Sequence, residues 1–177
     1  MIRRPPRSTQ SRSSAASDVY KRQQNVNAQS GAQASASANA TATVVSVVTV
    51  EKEADLDFGT FASGLTAGTI SMETDGQRYV TEGVVALPTN PGNTATFTAY
   101  GEAGQEYFIT LPADHYVILT SSSSAETMDI TGFYHNANGA FGGSDTETFK
   151  VGGVLNVNAL QAAGLYTGTF DVSVNLQ

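Results

Sequence analysis

Between Ala32 and Phe58 two kinds of side chain alternate for 27 residues. The even positions run Ala32, Ala34, Ala36, Ala38, Ala40, Ala42, Val44, Ser46, Val48, Val50, Lys52, Ala54, Leu56 and Phe58; the odd positions are polar or acidic except Val45 and Val47. Successive side chains of a strand point to opposite faces, so this is the period of a β-strand with one apolar side. At about 3.3 Å per residue the stretch would extend roughly 90 Å, whereas a domain of this size is about 40 Å across. The chain must therefore break, or leave the domain, within it. Val44 to Val50, apolar on both faces apart from Ser46 and Thr49, is expected as a strand inside a sandwich, with a turn over Glu51 to Asp55 and the Ala-rich part ahead of the domain.

A second alternation closes the chain. Tyr166, Gly168, Phe170, Val172, Val174 and Leu176 share one face, against Thr167, Thr169, Asp171, Ser173 and Asn175, which predicts a long, half-buried final strand starting at Gly164. Further strands are expected near Thr66 to Met72, Gln77 to Leu87, Thr94 to Tyr100, Gln105 to Leu111, His115 to Thr120, Thr127 to Tyr134, Thr146 to Val151 and Val154 to Val157. Turn signals such as Asp75-Gly76, Pro88 to Gly92, Asn136 to Gly143 and Gly152-Gly153 separate them. Only Asn158 to Ala163 suits a helical turn. Charged residues are 14% of the chain, and 17 Gly stand among long Ser/Thr/Ala/Val stretches. The fold class is thus all-β: a single immunoglobulin-like, pilin-like β-sandwich of about nine or ten strands with a disordered N-terminal tail.

Charge divides the chain. Residues 1–23 hold six of the nine basic residues against one of the sixteen acids, leaving +5 there and −12 on the rest. "MIRRPPRSTQSRSSAASDVYKRQ" has no apolar run of the kind a signal peptide needs, and it resembles translated sequencing-adapter DNA. Residues 1–23 are accordingly set aside as non-native tail, residues 24–41 as a signal-peptide remnant with an Ala/Ser-rich extension, and residues 42–177 as the sandwich. Val26-Asn27-Ala28 has the small-residue spacing of a signal-peptidase site. No run of about 18 apolar residues suits a membrane helix.

The residues that carry chemistry are sparse. The chain has no cysteine, so no disulfide, thiol nucleophile or cysteine zinc site is expected. Glu51, Glu53, Asp55 and Asp57 recur every second residue, but same-face neighbours on a strand lie about 7 Å apart and cannot converge on one calcium ion. They read as a solvated, edge-protecting acidic face. His115 and His135 stand alone, and "NANGAFGGSD" lacks the Lys and helix of a phosphate loop. Tyr100, Tyr107, Tyr116, Phe133, Tyr134 and Phe141 read as packing rather than a sugar platform. No catalytic residue, metal site or cofactor is expected. The −12 of the domain disfavours nucleic acid.

Three stretches carry a resemblance: "VVSVVTVEKEADLDFGTFASGLTAGTISM", "YFITLP" and "VGGVLNVNALQAAGLYTGTFDVSVNLQ". They resemble the domain of unknown function 4402 family, fimbrial-like bacterial surface β-sandwiches. The ending is also similar to that of chaperone-usher pilins, where an aromatic usually stands at the place of Leu176 and a disulfide is common. The resemblance implies a non-enzymatic, secreted, periplasmic or cell-surface structural or adhesive subunit, assembled by β-strand donation with like subunits and a periplasmic chaperone as partners. The candidate donor strand is Ala40, Ala42, Val44, Val48 and Val50; the candidate edge strand is Gly164, Tyr166, Phe170, Val172, Val174 and Leu176. The alternative is a self-complemented monomeric extracellular module that binds glycan or protein.

Overall fold

The computed structural model describes residues 35–177. The expectations for residues 1–23, and for a processing site at Val26-Asn27-Ala28, lie outside the described residues. The chain divides into two units at Thr43 and Val44. In the first, residues 35–43 are exposed and have no regular secondary structure.

The second unit is all-β. Its strands are β1 (Thr49–Ala54), β2 (Phe61–Ser63), β3 (Gly68–Met72), β4 (Arg78–Val80), β5 (Val84–Ala86), β6 (Ala95–Tyr100), β7 (Tyr107–Thr110), β8 (Val117–Ser121), β9 (Thr127–His135), β10 (Thr146–Val157), β11 (Tyr166–Thr167) and β12 (Ser173–Leu176). The main sheet runs β1-β6-β10-β9-β8-β11, with β3 on β10 and β4 on β3; β12-β7 and β2-β5 form two smaller sheets. Every pairing is antiparallel.

The twelve-residue β10 is the spine. Its first half pairs with β6 and its second half with β3, while β9 lies along the other edge. The change of partner falls at Gly152-Gly153. These glycines were expected to break the strand, and they are buried inside it instead. A Cβ at Gly152 would sit 2.2 Å from the Met72 carbonyl oxygen, so this close crossing needs a residue without a side chain.

Three further expectations fail for identifiable reasons. Val44 to Val48 lie outside the strands, and the strand occupies Thr49–Ala54, including most of the expected Glu51 to Asp55 turn. β1 is an edge strand with one solvent face, where the acids are acceptable: Thr98 Oγ1 donates to Glu53 at 2.6 Å and Tyr100 OH to Glu51 at 3.3 Å. Gln77 to Leu87 is two strands, because the chain turns at Gly83, φ +91°. Asn158 to Ala163 is a hydrogen-bonded turn rather than a helical one, with Gln161 N donating to Asn158 O. The Asp75-Gly76 hairpin is as expected, Gly76 having φ +89° between β3 and β4.

The core has two halves. Phe58, Ile70, Met72, Val84, Val117, Met128, Ile130, Leu155 and Val157 form one. Ala95, Phe97, Ala99, Tyr107, Phe141, Phe149 and Val151 form the other. Leu56, Phe133 and Phe170 pack against both and make the interior continuous. Phe141, inside the Asn136 to Gly143 turn signal, is fully buried with its ring 4.8 Å from that of Tyr107.

The final alternation is the clearest link between sequence and packing. Tyr166, Phe170, Val172, Val174 and Leu176 are half-buried, while Thr167, Thr169, Asp171 and Ser173 are exposed. The expected single strand is divided, since β11 pairs with β8 and β12 with β7. The register shifts between the two pairings because residues 111–116 loop out between β7 and β8. The extended chain therefore crosses from one sheet to another without losing its buried face.

Candidate functional site

One half of the core borders a cleft, although its own side chains are buried. Beside it lies a groove of about 740 Å³, floored by Val117 and Leu119 of β8, Met128 and Ile130 of β9 and Leu155 of β10. β8 shows why the floor is apolar: Val117 and Leu119 point inward while Ile118 between them is 45% exposed, as strand alternation requires.

Leu56 to Ser63 makes one wall. Phe58 is buried, and Leu56 and Phe61 pack against the core. Asp57 shapes this segment: its Oδ1 accepts from Gly59 N at 2.8 Å, its Oδ2 from Asn90 Nδ2 at 2.9 Å, and its backbone bonds to that of Asn93 in both directions at 2.9 Å. Gln161 to Tyr166, with Gly168 and Phe170, makes the other wall. There Tyr166 OH donates to Ala162 O at 2.8 Å and accepts from Gln161 Nε2 at 3.0 Å. The walls meet at one end, where Ser63 Oγ donates to Gln161 O at 3.1 Å and Leu160 N to Gly64 O at 2.9 Å.

Two features define what such a groove accepts. Its floor is apolar, whereas its walls mix apolar groups with the polar side chains of Thr60, Ser63, Asn90, Gln161 and Tyr166 and with Asp57, whose carboxylate oxygens are already engaged. The strands bordering it, β2 and β11, each have one strand neighbour among the described residues. An extended segment with small or medium apolar side chains meets both conditions, because its backbone can bond to a strand edge while alternate side chains fill the groove.

The expected edge residues divide accordingly. Gly164, Tyr166 and Phe170 line the groove. Val172, Val174 and Leu176 continue past it onto the other half of the core, together with Val48 and Val50. Val48 and Val50 are thus engaged with their own sandwich, Val50 standing opposite Ala99 in β6. Val44 is 94% exposed, Val45 and Val47 are each 74% exposed, and Ala40 and Ala42 are also exposed. The Leu56 to Ser63 wall was missed at the sequence level. Leu56 and Phe58 were visible as the end of the alternating face, but nothing in the sequence marked them as one side of a cleft.

The titratable clusters lie elsewhere. His115 Nδ1 bonds Asp129, whose other oxygen accepts from Asn156 at 3.2 Å. Burial alone would raise the Asp129 carboxyl, but the hydrogen bonds from His115 and Asn156 outweigh it and hold the group below its ordinary range. Burial and the 2.5 Å bond to Glu147 push the Tyr107 phenol well up. His135 accepts from Ala137 N and lies edge-on to Phe149. Tyr107 and Phe141 are buried, whereas Tyr100 and Tyr116 are exposed. No helix among the described residues is long and apolar enough to cross a membrane.

No curated protein and no solved structure matches the chain. A family model described as "Domain of unknown function (DUF4402)" matches residues 48–176, a span that takes in both walls of the groove and its whole floor. With most of its length so matched, the chain belongs to the DUF4402 family.

Proposed function

We propose that the protein is a non-enzymatic structural subunit, secreted or on the cell surface, that assembles by β-strand donation: residues 34–47 of one copy enter the groove of another. The apolar-floored groove between β2 and β11 carries this reading. The donor is complementary to it. Residues 34–47 have no charged side chain, so entry buries no ion. Val44 offers the largest side chain on the face it shares with Ala40 and Ala42. Full burial of a valine contributes about 1.5–3 kcal/mol, and alanine a fraction of that.

Chain length favours donation between copies. About 23 Å of strand separates Thr49 from Leu56, where the groove begins, and five residues reach back at most about 17 Å. The valines cannot enter their own groove while β1 remains paired with β6, which weighs against the self-complemented alternative. A donor on one copy and a groove on the next is a heterologous contact, which builds chains that end in a ring or an open filament.

Sedimentation velocity over a range of concentrations tests the reading. The chain should form a ladder of head-to-tail species, and Val44→Asp with Val45→Asp should return it to a folded monomer whose unfolding midpoint no longer rises with concentration. A chain that stays monomeric at every concentration refutes strand donation.

A further inference from the structure

The groove wall built on β2 belongs to a small sheet, β2-β5, that shares no ladder with the main one. One side chain ties the two together. Arg78, the first residue of β4, donates from Nη1 to Phe58 O at 3.1 Å, Thr60 O at 3.2 Å and Asn90 O at 3.1 Å, and from Nη2 to Leu87 O at 2.9 Å. No carboxylate pairs with this guanidinium among the described residues. Thr60 O and Asn90 O have second partners in Leu87 N and Thr60 N, whereas among the described residues Phe58 O and Leu87 O have Arg78 alone. The chain is also cut to fit the cation. A Cβ at Gly59, where φ is +76°, would lie 2.3 Å from Nη1 and 2.4 Å from Asn90 O.

The geometry points to Arg78 as the positioning residue of the strand-binding groove, the clasp that fixes the Phe58 to Ser63 wall where Phe58 packs into the same half of the core as the floor. The apolar contacts of Phe58 and Phe61 hold the wall to the core without direction, since burial is non-directional. Directional bonds are needed to set where its backbone sits. A planar guanidinium with donors in a fixed fork can hold four carbonyls at once, and it belongs to β4, which is anchored through β3 to the β10 spine. A lysine carries the same charge on one nitrogen and cannot span the set. The purpose of the clasp rests on the strand-donation reading; its mechanical role does not.

The test uses the full chain carrying Val44→Asp and Val45→Asp, so that grooves stay empty, with and without Arg78→Ala or Arg78→Lys. Two quantities are read: amide hydrogen exchange along the chain, and capture of a fluorescent peptide with the sequence of residues 34–47. Arg78→Ala should speed exchange across residues 58–63 and 84–87 by about tenfold or more while β6 and β10 change less than about twofold. It should weaken peptide capture by about tenfold, and Arg78→Lys, which keeps the charge and guards against a misfolded alanine variant, should fall between. Wall amides that exchange as in the parent, acceleration spread evenly over the sandwich, or a lysine variant equal to the parent would each overturn the clasp. If Arg78→Ala loosens the wall but the parent captures no peptide, the clasp stands and strand donation falls.

Discussion

The ring of Phe170 lies 4.9 Å, centroid to centroid, from that of Phe133, and it meets Phe97 edge-on at 6.4 Å. Phe133 and Phe170 touch both halves of the core, so this pair joins the groove floor to the closed end of the sandwich. Phe170→Ala should therefore cost about 2–3 kcal/mol, less than a fully buried phenylalanine because the site is half-buried. Phe170→Leu should cost under about 1.5 kcal/mol. Urea unfolding followed by tyrosine fluorescence measures both.

Gly152 sits where β10 changes partner, with the Tyr134 ring 2.5 Å and the Met72 oxygen 2.2 Å from the place a Cβ would take. Neither the backbone nor the ring can retreat inside a paired sheet. Gly152→Ala should destabilise the fold by at least about 2 kcal/mol, whereas Gly142→Ala, with open space around it, should change stability by less than about 0.5 kcal/mol. Denaturant midpoints at constant slope would show the difference.

The protein should lose stability in alkali. Burial, opposed by the Ser71 hydrogen bond and reinforced by Glu73, pushes the Tyr134 phenol up to about 12, and Tyr107 is also raised. The unfolded chain ionises these groups first, near pH 10, so their contribution is complete below about pH 10 and fades as pH climbs through the folded values. Tyr134→Phe should flatten the decline in urea midpoint between about pH 9.5 and 11.5.

Acid acts through Asp129, which His115 and Asn156 hold below the ordinary carboxylate range. A depressed carboxyl stabilises the fold above its unfolded value, near pH 4, and that stabilisation is lost as pH falls through the folded one. Asp129→Asn should lower stability at neutral pH and remove part of the acid-side slope. A variant whose stability between about pH 5 and 2.5 runs parallel to the parent would contradict the assignment.

Most of the strands could be read from period and punctuation, because a half-buried strand writes its two faces into alternate residues. Tyr166 to Leu176 is the clearest case. What alternation could not convey was pairing: the same face runs unbroken while its neighbour changes from β8 to β7, and Gly152-Gly153 looks identical whether it ends a strand or lets one cross another. The groove was half legible. Gly164, Tyr166 and Phe170 were in the expected edge, but the opposite wall depends on Arg78, Asp57 and Asn90, separated by up to 33 residues and joined through hydrogen bonds that carry no periodic signal.

The absence of cysteine from the chain allows the central claim to be tested with two introduced thiols. Ala62, exposed on the groove wall, takes one (Ala62→Cys), and Val45 on the donor segment takes the other (Val45→Cys), in separate chains labelled with different fluorophores. Strand donation predicts that mild oxidation of the mixture gives a two-colour disulfide dimer, and that Val44→Asp on the donor chain abolishes it. Equal yields of one-colour and two-colour products, or no dimer at concentrations where the chain is intact and folded, would contradict the account.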